Sequence, residues 1–176
     1  MMICTGPVIP RESSRKGKHM SRIELNAELA RESFAKAHAS PRKRHPVLLH
    51  EPGAYFNEVY NFIGRDSYMQ PHLHPGSEKI EIIQVLSGRV AVIYFDDQGR
   101  ITQQTVLTPA GLDQIKVPAF TWHTYVMLTD EVITYETMDG IYDPATWKTF
   151  APWAPIESTT AAISYLESLR SIIDLT

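Results

Sequence analysis

The chain reads as an all-β protein: one antiparallel barrel or sandwich with a helix at each end. Three observations predict this. Between residues 47 and 138, short β-type runs recur every 8–12 residues or so, with turn signals between them. That spacing belongs to sandwiches and barrels, not to βαβ units. Residues 24–39 and 160–174 carry helical patterns instead. Finally, Gln70-Pro71-His72-Leu73-His74-Pro75 sets two histidines two positions apart in β territory. Strand side chains alternate, so both project from one face.

Composition fits a single domain. The chain has 176 residues, 43% apolar and 21% charged, which suits one core with short flanks. No apolar run approaches the ~18 residues of a membrane span. The start, Met1-Met2-Ile3-Cys4-Thr5-Gly6-Pro7, has no basic leader followed by an apolar core, so no secretory signal is expected. Cys4 is the sole cysteine and can form no internal disulfide, which fits a reducing, cytoplasmic setting. The net charge of −3 hides an asymmetry. Residues 1–44 hold ten Lys/Arg against four Asp/Glu, and residues 45–176 hold seven against sixteen. A basic arm therefore precedes an acidic body. Read blandly it solubilises the chain; read functionally it contacts an anion, and the bland reading is the commoner one. No nucleic-acid or membrane partner is expected.

Taken in order, residues 1–22 form a basic tail without hydrophobic period, expected to be disordered. Residues 23–46 hold a helix and the arm Arg42-Lys43-Arg44. Asn26 can cap the helix, Leu25, Leu29, Phe34 and Ala37 mark its apolar face, and Pro41 ends it. Residues 47–157 form the barrel. Its expected strands are 47–50, 59–63, 80–86, 89–95, 101–107, 115–117, 124–128 and 132–138. Ser87-Gly88, Asp96-Asp97-Gln98-Gly99 and Pro109-Ala110-Gly111 provide turns. The aromatic and proline-rich stretch 142–155 suits a stiff segment laid along the barrel wall. Residues 158–176 hold the last helix, with Ile163, Leu166, Leu169 and Ile173 read as its buried stripe. Jelly-roll sheets leave edges that need covering, so a twofold dimer is expected.

The chemistry-bearing residues gather around the histidine pair. Glu78 and Glu81 follow it, and His123 lies about fifty residues on, in Pro118-Ala119-Phe120-Thr121-Trp122-His123. Three imidazoles and a carboxylate are a common shell for a divalent transition metal such as Fe, Mn, Ni, Co or Zn. A His-x-His pair alone is weak evidence. Here it leads into Glu-Ile-Ile-Gln-Val-Leu-Ser-Gly (residues 81–88), and a second Pro-x-x-x-x-His unit follows the next hairpin.

This two-part pattern resembles that of the cupin superfamily, small jelly-roll (double-stranded β-helix) barrels. The resemblance implies His72, His74, Glu81 and His123 as metal ligands. Glu78 stays a rival to Glu81, standing at the more usual distance from His74, although the register of Glu81 to Gly88 fits the pattern better. Phe120 occupies a position where glycine is usual. Ser40-Pro41-Arg42-Lys43-Arg44, Phe95-Asp96-Asp97-Gln98-Gly99-Arg100, Tyr142-Asp143-Pro144 and Phe150-Ala151-Pro152-Trp153-Ala154-Pro155 further resemble the WbuC-type cupin metalloproteins, which occur among bacterial polysaccharide genes.

Such a site supports two kinds of function. One is an enzyme, a metal-dependent oxygenase (dioxygenase) or isomerase acting on a small oxygen-rich molecule, possible substrates including a polysaccharide-related sugar. The other is a binding module in which the metal holds a sugar or carboxylate without chemistry. A third, metal-free mechanism, that of sugar-nucleotide epimerases, is disfavoured by the four-ligand set. Tyr60, Phe62, Tyr68, Gln70, Trp122 and Tyr125 are the neighbours expected to shape a pocket. Arg42, Lys43 and Arg44 could clamp an anion if the arm folds over the barrel mouth.

Overall fold

A computed structural model describes residues 23–173. The basic tail 1–22, Cys4 and the last three residues lie outside the described residues. Two antiparallel five-stranded sheets face each other, and one helix lies against the outside of each. The first sheet contains β1 (Arg44–Leu48), β2 (Phe56–Gly64), β4 (Glu81–Ser87), β7 (Gln114–Val117) and β9 (Glu131–Asp139), in the order β1-β2-β9-β4-β7. The second contains β3 (His72–Leu73), β5 (Val90–Phe95), β6 (Ile101–Leu107), β8 (Trp122–Met127) and β10 (Thr149–Phe150), in the order β10-β3-β8-β5-β6. This is the expected all-β jelly roll.

Three apolar clusters follow from this layering. Between the sheets sit Ile63, Ile83, Val85, Val90, Val92, Leu107, Val117, Met127 and Val132. Outside the first sheet, Phe62 and Ile133 pack with Ala37, Leu29 and Phe34 of α1 (Ala27–Ala39). Outside the second, Ala91, Ile93, Phe95 and Val126 pack with Ala162, Leu166, Leu169 and Ile173 of α2 (Thr160–Ile173). A strand covered on both faces has no need of polar alternation. Hence β5, Val-Ala-Val-Ile-Tyr-Phe, is buried at every position.

Local chemistry explains the boundaries. Asn26 caps α1, its Oδ1 accepting from the Leu29 N–H at 2.9 Å. The helix stops at Ser40, whose N–H closes onto the Lys36 and Ala37 carbonyls before Pro41. Ser87-Gly88 turns the chain from one sheet into the other. Gly88 has φ +80°, and a Cβ there would stand 2.4 Å from the Glu131 carbonyl oxygen, so only glycine fits.

Two expectations need correction. The first strand begins at Arg44, three residues early, so the end of the basic arm lies inside the sheet. On α2 the buried stripe is Ala162, Leu166, Leu169 and Ile173, while Ile163 is exposed. Spacings of four, three and four keep close to one helix face; the spacings of three, three and four from Ile163 drift away from it. Two-residue β10, which pairs antiparallel with β3, was not expected at all.

Candidate metal centre

β3 and β8 pair with His72 directly opposite His123. His74 lies just beyond the end of β3, where the N–H of Phe120 donates to its carbonyl oxygen. Phe120 adopts a left-handed backbone, φ 59°, so the conformation that suits glycine is kept without glycine. All three histidines are buried, and their rings stand 4.5 to 5.7 Å apart between centroids. One ligating nitrogen from each lies within 4.8 Å of the others.

Hydrogen bonding assigns the tautomers. His72 Nδ1 meets the Gln70 carbonyl at 3.0 Å, His74 Nδ1 the Trp147 carbonyl at 2.9 Å, and His123 Nδ1 the Thr121 carbonyl at 2.8 Å. A carbonyl only accepts, so each Nδ1 carries a proton; the Nε2 atoms of His72 and His74 then present lone pairs, whereas His123 Nε2 is hydrogen-bonded to Glu81 Oε2 at 3.0 Å. The Nε2 atoms of His72 and His74 are buried with no hydrogen-bond partner. Buried polar atoms rarely go unsatisfied without a reason. Three oriented imidazoles whose Nε2 atoms converge, two of them unpartnered, are the donor set that a transition metal takes. Burial, with Lys148 and the other two histidines, holds His72 well below the usual histidine range. It is therefore neutral and able to ligate at physiological pH.

Glu81 joins this cluster from the opposite sheet. Its Oε2 lies 3.0 Å from His123 Nε2 and 3.6 Å from His74 Nε2. Burial works to raise its carboxyl, but hydrogen bonding to His123 and His74 and their charges outweigh it, holding Glu81 well below the usual carboxylate range. Glu78 is exposed, with its carboxylate against Gly76. Of the two rivals, only Glu81 is brought to the histidines.

A cavity of about 590 Å³ opens beside Glu81. Its wall includes Met69, Asn57, Asn61, Glu136 and Lys148, and also Arg42, Arg44 and Glu157. Arg44 and Glu157 form a bidentate ion pair at 2.6 and 2.8 Å, and Arg44 also donates to the Tyr68 carbonyl. The strand that contains Arg44 thus holds it, paired, in the cavity wall. Lys43 reaches the His38 carbonyl on α1 instead.

The six expected pocket residues do not line this cavity. Tyr60 and Phe62 face α1, and the next residues along β2, Val59 and Asn61, face inward. Tyr68 and Trp122 pack toward α2. Gln70 donates to the Ala151 carbonyl. Gln70 also meets His72 through its backbone carbonyl, and the Tyr125 ring stands 6.0 Å from that of His123. Burial, Glu136 and Glu81 push its phenol well up.

Glu136 and Lys148 are the site residues that the sequence did not reveal. Glu136 lies on β9, opposite Ile83 of β4 and Val59 of β2. Burial and the nearby Glu81 raise its carboxyl from 4.5 to about 7. Lys148 comes from the segment between β9 and α2. Burial lowers its ammonium, while Glu81 and Glu136 pull it back up. Glu136 sits in an ordinary strand and Lys148 in an irregular segment, so neither stands in a recognisable motif.

Comparison with known proteins agrees with this architecture. A sequence family described as a domain of unknown function (DUF6016) matches residues 25–107. No curated protein sequence matches the chain. Among solved structures, CapF, determined with the inhibitor 3-isopropenyl-tropolone, is similar at 18% identity and a TM-score of 0.51, over 60% of this chain and 31% of CapF. A recombinant oxalate oxidase in complex with glycolate is similar at 13% identity and a TM-score of 0.50, over 65% of this chain and 58% of the oxidase. The chain spans less than two thirds of the length of either structure. At such identities the likeness shows the fold, and the fold is that of the cupin jelly-roll barrel.

Proposed function

We propose that the chain binds a divalent transition metal through His72, His74, His123 and Glu81, and presents it to a small oxygen-rich ligand in the adjoining cavity. The observation that carries this reading is the pair of buried, unpartnered Nε2 atoms on His72 and His74. Their Nδ1 protons are fixed on backbone carbonyls. Bound metal would supply Lewis acidity there. A shell of four protein ligands leaves an octahedral ion about two positions for ligand oxygens. The WbuC-type resemblance adds polysaccharide-related sugars to the candidate ligands.

Glu136 favours turnover over passive binding. A carboxyl titrating near neutrality in a cavity wall can both accept and donate a proton. Among the metal-dependent reactions this points to proton-transfer chemistry of the isomerase type rather than to oxygenation. The remaining residues bind and orient, and Trp147 and Phe150 contribute aromatic surface to the cavity wall.

The test is elemental analysis of protein purified without added metal, for the wild type, Glu81→Ala and Glu78→Ala. About one equivalent of metal is expected in the wild type and in Glu78→Ala, with most of it lost from Glu81→Ala. Equal losses in both variants would overturn the assignment of Glu81. A metal-free wild type that takes up none on titration would overturn the proposal itself.

A further inference from the structure

Lys148 is held in place from both sides. Before it, the Trp147 carbonyl is bound to His74 Nδ1, Lys79 Nζ stands 5.0 Å over the Trp147 ring, and the same Nζ donates to the Thr146 carbonyl. After it, Thr149 and Phe150 pair with Leu73 and His72. The side chain between these anchors lines the cavity. Among the described residues Lys148 has no hydrogen-bonded or ion-paired partner, and the carboxylates of Glu81, Glu136 and Glu157 act on it only through space. Lys148 is half-buried, and a partly desolvated ammonium without a direct partner carries a cost. A fixed one, facing a cavity, is arranged for something that enters the cavity.

The charges around the cavity say what enters. Arg44 and Glu157 are used on each other, and Glu81 is turned to the histidines. Lys148 and Arg42 remain as cations, opposed by Glu136. A divalent ion at the histidines adds two further positive charges. The occupied site is then cationic and calls for an anion. Given this reading of the metal centre, we infer that the ligand is a small hydroxy- or sugar-acid carboxylate, with its carboxylate held by Lys148 Nζ and a second oxygen function directed to the metal centre. This narrows the oxygen-rich ligand to one charge class. A planar, delocalised carboxylate within reach of an ammonium gains a charge-assisted hydrogen bond, which a neutral sugar does not.

The test uses full-length protein loaded with Co(II), titrated calorimetrically with glycolate, malonate and succinate, which sample different spans. The amide of the best binder serves as the uncharged control. Lys148→Met should keep its Co(II) content and visible absorption, yet bind the best carboxylate at least tenfold more weakly than wild type. Its affinity for the amide should change less than twofold, and Lys148→Arg should recover most of the carboxylate affinity. Equal carboxylate affinity in Lys148→Met and wild type, at equal metal content, would overturn this inference and leave the metal proposal standing. The same holds if none of the three acids binds the Co(II)-loaded wild type. If wild type takes up no Co(II), both fail together.

Discussion

The interior of the barrel has two unlike ends. One is filled by Ile63, Ile83, Val85, Val90, Val92, Leu107, Met127 and Val132, all buried and all apolar. The other holds His72, His74, His123, Glu81 and Glu136, with two imidazole nitrogens lacking partners. Both ends are built from the same strands. On β4, Glu81 belongs to the polar end, and Ile83 and Val85, two and four residues on, belong to the apolar end. On β9, Glu136 and Val132 divide in the same way. Apolar burial at one end stabilises the fold enough to tolerate desolvated, unpaired groups at the other. At this length a domain already buries about 70% of its unfolded surface, so no metal staple is required.

The largest effect on folding should come from the apolar end. Ile83→Ala is expected to cost about 2–5 kcal/mol, as a buried branched side chain is lost and a cavity left. Metal content per folded molecule should not change. A loss well under 1 kcal/mol in urea unfolding would contradict the division of labour.

A smaller effect should appear at the polar end, with a definite pH sign. In chelator-stripped protein, the folded-state carboxyl of Glu136 titrates at about 7 against an ordinary 4.5. Its contribution to stability is complete below about pH 4.5. It is lost as pH rises through 7, because the folded chain retains a proton that the unfolded chain has released. Glu136→Gln carries no such charge. It should therefore gain on wild type by up to about 3 kcal/mol at pH 8 and by little at pH 4.5. Equal gains at both pH values would remove the titration from the explanation.

The smallest effect on the fold should come from the histidines. His72→Ala should lose metal and keep the wild-type far-UV circular dichroism, and the chelator-stripped wild type should stay folded with a modestly lower melting midpoint. Metal should leave on acidification, since protons compete for Nε2, and His72, held well below the usual histidine range by burial, should be among the last ligands to be protonated. A stripped protein unfolded at room temperature would turn the site into a structural clip and erase the distinction between the two ends.

The sequence by itself determined eight of the ten strands, the turns between them, the helix cap at Asn26, and the clustering of His72, His74 and His123. These are local matters: turn chemistry, a period of two, and a side-chain oxygen within reach of a helix N–H. The register of Glu81 to Gly88 likewise favours Glu81 over Glu78, and the structure brings Glu81 to 3.0 Å from His123. Only the tertiary structure decided which face of β2 looks inward. Period two separates Val59 and Asn61 from Tyr60 and Phe62, but it does not name the interior when a helix covers the outside. The aromatic pair, expected on the pocket side, packs on α1. The structure likewise decided that Arg44 is paired with Glu157, 113 residues away, and that Glu136 and Lys148 share one cavity with Glu81. The physical reason is common to all three. Each depends on how distant strands align across the barrel, and a single glutamate, lysine or arginine carries no periodic signal of that alignment.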